Sequence, residues 1–245
     1  MKKLLLLALM AICTGIIVPC KVYAVDITVG ATTWDAWLEE HYKDATYYKS
    51  QAIFYGPALS VRFYEDFNLT FIYLSGSFAG NYKRKDSDLA LNYRLSDYFK
   101  LFAGVKYMEY LKNYTVDDIL SPPPGIADVF VEHKGIGPGL GLTATLPVTE
   151  NVYILATLSG FYLWGKEKTE IAYATPEEKK SKYNDYGINS TISFAYYITP
   201  ASTTISFGKR FQYYKTAYKD KDYRDPGHKD KLNGITLTAT YNFGI

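Results

Sequence analysis

Cysteine occurs only at Cys13 and Cys20, both within the first 24 residues. A chain that loses those residues has no disulfide, no thiolate metal ligand and no cysteine nucleophile. Histidine is scarce, with 3 in 245 residues, and neither charge dominates, with 27 Lys+Arg against 25 Asp+Glu. That balance lacks the basic footprint of a nucleic-acid binder, so no nucleic acid is expected as a partner. Beyond the N-terminus there is no apolar run suited to a spanning helix. The longest uncharged stretch, Tyr186 to Gly208, carries nine Ser, Thr or Asn residues and is interrupted at Thr199-Pro200, whereas a spanning helix needs about 20 predominantly apolar residues.

Aromatic residues are plentiful, at 17% with 25 Tyr, and only 21% of the chain is charged, the wrong balance for disorder or a coiled coil. The chain opens with Lys2-Lys3, an apolar run from Leu4 to Val18, and Val22-Tyr23-Ala24, which reads as a cleavable signal peptide over 1–24 ahead of a single domain at 25–245. Pro19 disfavours lipidation of Cys20. Cleavage leaves 221 residues with 24 Lys+Arg against 25 Asp+Glu.

Period-two alternation dominates the mature chain. It is clearest in Asp88–Ser96, Asp185–Ile198 and Asn233–Ile245, where rows such as Tyr186, Ile188, Ile192, Phe194, Tyr196 and Ile198 face rows of Gly, Ser, Thr and Asn. A soluble sandwich keeps its apolar row inside, so an apolar row opposite so polar a one argues for lipid outside. Tight turns are expected at Glu65–Asn68, Ser96–Tyr98, Val148–Asn151 and Thr199–Ser202, and long outer stretches at 35–47, 80–87, 111–133, 165–183 and 215–231. Nine connections give ten strands with both termini on the periplasmic side: 25–34, 48–64, 68–79, 88–96, 98–110, 134–146, 151–164, 184–198, 203–214 and 232–244. Lys209 falls on the outward row of the ninth strand, and a local irregularity or a snorkelling side chain is expected there. Phe71 to Leu74 are apolar on both faces.

Over its mature length the chain resembles the small outer-membrane β-barrel proteins of Gram-negative-type bacteria. The resemblance rests on the signal, the alternation, aromatics near strand ends (Trp34, Tyr55, Phe63, Phe67, Tyr98, Phe99, Tyr107, Trp164, Tyr196, Tyr213) and the ending Tyr241-Asn242-Phe243, followed here by Gly244-Ile245. It implies an all-β, transmembrane, antiparallel up-and-down barrel in the bacterial outer membrane. The implied partners are outer-membrane lipid, lipopolysaccharide and, through the C-terminal strand, the assembly machinery. No extracellular partner is identified.

No cofactor and no enzymatic activity are expected. The omptins, ten-stranded outer-membrane proteases, use an Asp pair facing an Asp-His pair. Asp86-Ser87-Asp88 resembles the first half, but 165–183 holds no His, and Asp185 is the only nearby Asp. His41 with Glu39, Glu40 and Asp44, and His228 with Asp225 and Asp230, are acidic loop clusters to which no metal is assigned. The inward rows carry the more informative charges: Arg62, Arg94, Lys100, Lys106 and Arg210 against Asp26, Asp88 and Asp185. They are read first as a paired polar core that closes a narrow barrel. Function is then expected at the outer loops, foremost 111–133 and 165–183, as structural or surface contact. The alternative is a narrow pore with a weak preference for anions.

Overall fold

The computed structural model describes residues 25–42, 45–79, 81–115, 128–171, 177–219 and 228–244. The expected signal peptide lies outside them, as do Asp44, Asp225, Ile245 and the Ser121–Gly125 segment. Ten strands follow one another: β1 (Asp26–Tyr42), β2 (Ala45–Tyr64), β3 (Phe67–Phe78), β4 (Tyr82–Arg94), β5 (Phe99–Thr115), β6 (Asp128–Pro147), β7 (Val152–Ile171), β8 (Glu177–Ile198), β9 (Thr203–Tyr218) and β10 (His228–Gly244). Each pairs antiparallel with its chain neighbour, and β1 pairs with β10, so the sheet closes into an up-and-down barrel with no free edge.

At the end where β1 begins and β10 stops, the strands end close to their expected positions. Glu65-Asp66 joins β2 to β3, residues 95–98 join β4 to β5, 148–151 join β6 to β7, and a single 3-10 turn at Thr199–Ala201 joins β8 to β9. Ser202 completes that last turn in the left-handed region, at φ 45.

The opposite end departs from expectation. The stretches 35–47, 80–87 and 165–183 are largely strand, not loop, and strand also takes up 111–115, 128–133, 215–218 and 228–231, while 116–127 and 220–227 lie outside the described residues. Phe78 pairs with Tyr82, which leaves a three-residue hairpin connection with Asn81 at φ 56, a left-handed site that Asn tolerates. Alternation does not stop at the top of the apolar band; its chemistry changes. Beyond Trp164 the outward row of β7 continues as Lys166 and Lys168 while the inward row continues as Glu167 and Thr169, so a search for apolar residues on the outward row ends too early. The 22 residues of β8 run roughly 70 Å along the strand, or roughly 50–55 Å in height at a tilt of about 40°. A membrane band about 25 Å tall leaves nearly half of that height standing above it.

The outward face has the pattern of a lipid-facing surface. Between two levels of aromatics lie Leu59, Leu89, Leu91, Val105, Leu140, Leu158, Ile192, Leu237 and their neighbours, all exposed. One aromatic level, near the short turns, includes Phe63, Tyr93, Phe99, Tyr196, Tyr241 and Phe243; the other includes Trp37, Tyr55, Trp164 and Tyr186. Trp34 does not join them. It shares the parity of Ala36 and Leu38, points inward and is fully buried. Of the doubly apolar segment in β3, Leu74 is buried in the barrel core, and Ile72 faces the lumen. Lys209 points outward between Ile192 and Ile235 in an unbroken register, with no irregularity in β9. Register shifts occur instead at Glu40/His41 and at Arg62/Tyr64.

Candidate functional site in the barrel interior and its outer rim

The lumen has two parts. Next to the short turns is a polar chamber of about 480 Å³, lined by Asn68, Thr70, Asn92, Lys100, Thr157 and Arg210 among others. Four of the eight interior charges named from the sequence meet there. Asp88 accepts hydrogen bonds from Lys106 at 3.1 and 3.2 Å, Arg210 stands 3.9 Å from the same carboxylate, and Lys100 lines the wall. Arg62 pairs with Asp26 at 3.2 Å and Arg94 with Asp66 at 2.9 Å, as separate ion pairs at the chamber mouth. Asp185 is not among them; it lies near the opposite end of the barrel.

Above the chamber the lumen is filled. Trp34, Phe54, Leu74, Met108, Phe161, Leu163, Tyr214 and Leu232 are buried side chains of one cluster that draws on eight of the ten strands. Polar bonds cross it. Arg84 on β4 donates to the Tyr214 hydroxyl on β9 at 3.0 Å, and those strands are five places apart in a ring of ten, so this bond spans the barrel's diameter. Gln212 on β9 reaches Met108 Sδ on β5 at 3.3 Å, and the Arg210 guanidinium lies 4.5 Å from the Trp34 ring. Arg84 is held in a fork by Asp86, at 3.2 and 3.3 Å, with both side chains fully buried. A buried charge is tolerable only when it is paired and hydrogen-bonded in this way.

Higher still, His133 organises a second network. On β6 it shares the inward parity of Gly135, Gly137, Gly139 and Gly141, and it is fully buried. Its Nε2 faces Asp185 Oδ2 at 3.1 Å, and its Nδ1 faces Glu167 Oε2 at 3.2 Å. Both ring nitrogens meet carboxylate oxygens, so both must donate, and the ring is an imidazolium. Tyr110 stacks on one face at 4.1 Å between ring centroids and Tyr183 on the other at 3.6 Å. Burial alone pushes the His133 imidazole down, but the Asp185 charge, with hydrogen bonds to Asp185 and Glu167, holds it above its ordinary value. Burial likewise pushes Glu167 up, and the hydrogen bond and charge of His133, with the Tyr218 hydroxyl at 2.6 Å, hold it below the usual carboxylate range. Thr216 donates to Asp185 Oδ1 at 2.6 Å. Gly165 makes room for this stack, because a Cβ there would sit 2.0 Å from Tyr183 Cζ.

These placements revise several sequence-based expectations. Asp86 lies on the inward row of β4, not in a loop, next along that row to Asp88, which is inward as expected, and Asp86 is sealed by Arg84. His41, His133 and His228 lie on strands. Asp185 does have a histidine partner, but it comes from β6, two strands away, so no spacing along the chain reveals it. The clusters around His41 and His228 divide between faces: Glu39 points outward to Lys49 at 3.1 Å, whereas Glu40 points inward and pairs with Lys112 from β5. Lys112 also sits 4.5 Å from the Tyr82 ring and 5.2 Å from Tyr110.

Outside, just above the aromatic level, a groove of about 790 Å³ is lined by Lys134, Lys166, Lys168, Lys180, Lys182 and Lys219, with Trp164 and Ile136 beside it. Lys134 and Lys168 are partly neutralised by Glu132 and by Glu170 and Glu178. The groove therefore joins a cationic wall to an apolar one.

No protein-family model matches the sequence, and no curated protein sequence is similar to it. Among solved structures, the outer membrane protease OmpT from Escherichia coli superimposes with a TM-score of 0.59 at 13% identity, covering 91% of this chain and 98% of that one. The Pseudomonas putida toluene transporter TodX (0.36, 11% identity, 91% and 90% covered) and Neisserial surface protein A (0.36, 12%, 89% and 97%) align over similar lengths, but too loosely to support any argument. At these identities the likeness shows the fold alone: this chain is a closed, ten-stranded antiparallel barrel of the outer-membrane type.

Proposed function

We propose that the protein is an integral barrel of the bacterial outer membrane that neither conducts nor catalyses, and that it acts by contact at the tall rim it raises above the bilayer. The observation that carries this reading is the filled lumen: hydrogen bonds cross it between opposite strands, and the chamber beneath ends against buried aromatics. A narrow anion-preferring pore needs a continuous wet path, and the Trp34, Phe54 and Arg84 layer stands across it. The non-enzymatic reading draws on the same packing. Asp86 is bound by Arg84, and His133 has both nitrogens engaged and both faces covered, which leaves neither placed to activate a water.

Working surface remains at the rim and its loops. The lysine groove beside Trp164 and Ile136 fits a phosphate-bearing lipid whose chains run down the apolar band, so lipopolysaccharide is its proposed partner there. The C-terminal strand, with Phe243 outward, is proposed to engage the assembly machinery. The test is lipopolysaccharide retention by the folded protein in detergent. The wild type is expected to retain it, K134E/K166E/K182E to lose it, and deletion of 117–126 to leave both retention and barrel assembly intact. Equal retention by the triple variant would remove the lipid role; collapse of the barrel on loop deletion would show that loop to be structural.

A further inference from the structure

The seam where β1 meets β10 sets two carboxylates against each other. Glu40 and Asp230 are direct cross-strand partners, both point inward, and both are buried. Like charges in that position repel. Lys112 answers Glu40 through Oε1. Asp230 is fully buried and faces His228 from its own strand, with the Lys112 charge acting on it as well. His228, two residues along the same row, brings Nε2 to 3.0 Å from Asp230 Oδ1. One donor atom each from Glu40, His228 and Asp230 lies within 4.8 Å of the other two, and among the described residues no other His, Cys, Asp or Glu group of three does so.

The geometry points to a divalent metal site of the zinc class at Glu40, His228 and Asp230, inside the outer mouth of the barrel. Two carboxylates and one imidazole supply three ligands and leave a fourth position for water, the usual arrangement of an open tetrahedral site. The imidazole sets the preference, because calcium takes six to eight oxygens and gains little from a nitrogen ligand. Lys112 then serves as an outer partner that fixes the Glu40 carboxylate through one oxygen and leaves the other for the ion. His228 retains 16% side-chain exposure, which gives an ion a route from the outer rim. The clusters along the chain do not show this site, since it needs Glu40 from β1 with the two β10 residues, while Glu39 and His41 turn to the other face.

Calorimetric titration of the full-length chain, folded in detergent, with zinc chloride and separately with calcium chloride tests the assignment. One zinc ion per chain is expected for the wild type and for His41→Gln, with at least roughly 100-fold weaker binding in His228→Gln and Asp230→Asn, since loss of an outer partner alone costs 10–100-fold. Should Asp230→Asn fail to fold, the protection assay decides: zinc is expected to raise the heat-unfolding midpoint of the wild type but not of His228→Gln. Absence of saturable binding to the wild type, zinc binding unchanged in both ligand variants, or calcium bound as tightly as zinc would each overturn the site.

Discussion

Asp185→Asn tests the charge logic of the outer network with almost no change of shape. The substituted carboxamide can still accept from Thr216, which stands at 2.6 Å from the native carboxylate, but its amide group now confronts the N–H of His133 where a carboxylate accepted it at 3.1 Å. The imidazolium keeps Glu167 alone, and breaking one side of a buried ion pair costs about 3–5 kcal/mol. For a chain of about 150–250 residues each kcal/mol moves the unfolding midpoint by roughly 2–4 °C, so a fall of roughly 6–20 °C is expected. The pH dependence carries the sharper signature. His133 has a raised folded value, so its stabilisation is complete below the unfolded value of about 6.5 and fades as pH climbs through the folded one. Glu167 has a lowered value, so its share is present above about 4.3 and is lost as pH falls through the folded one. The midpoint, read from the mobility difference between heated and unheated samples on a denaturing gel, should separate wild type and variant most near pH 6, and the gap should shrink as pH rises. An unchanged midpoint, or a gap constant from about pH 6 to about pH 10, would refute the imidazolium assignment.

Three further outcomes follow from single contacts. Lys209→Leu should stabilise the barrel by about 2–4 kcal/mol, the cost of a basic side chain facing lipid near midplane, seen as a higher gel-shift midpoint. Gly165→Val should drive Tyr183 off His133 and lower the gel-shift midpoint. Arg84→Met should cost about 3–5 kcal/mol in denaturant titration by stranding Asp86, and adding Asp86→Leu should recover much of it.

The membrane-embedded half of this fold is legible in the sequence because lipid forces one face to be apolar. Rows such as Tyr186, Ile188, Ile192, Phe194 and Tyr196 therefore announce both strand and parity, and parity alone places Lys106, Asp88 and Arg210 in the lumen. Above the bilayer that constraint lapses. Lys166 and Lys168 face water while Tyr183 and His133 face the core, so the polar row is now outside and the strands look like loops. The His133–Asp185 pair joins residues 52 apart in sequence, and the diametric Arg84–Tyr214 bond joins residues 130 apart. Pairings of that kind depend on barrel closure and on the stagger of ten strands, which no local pattern encodes. A local trace of the upper core is Gly135, where the missing side chain leaves room for the Tyr183 hydroxyl from β8.

Single-channel recording of the purified barrel in a planar bilayer tests the closed lumen most directly. Bonds spanning the diameter and a buried aromatic layer predict no steady conductance in the wild type, with a measurable anionic leak only after the layer is cut away, as in Trp34→Ala/Phe54→Ala. Stable openings of the wild-type protein, above all large cation-selective ones, would contradict the closed barrel and the placement of Arg84, Trp34 and Tyr214 across it.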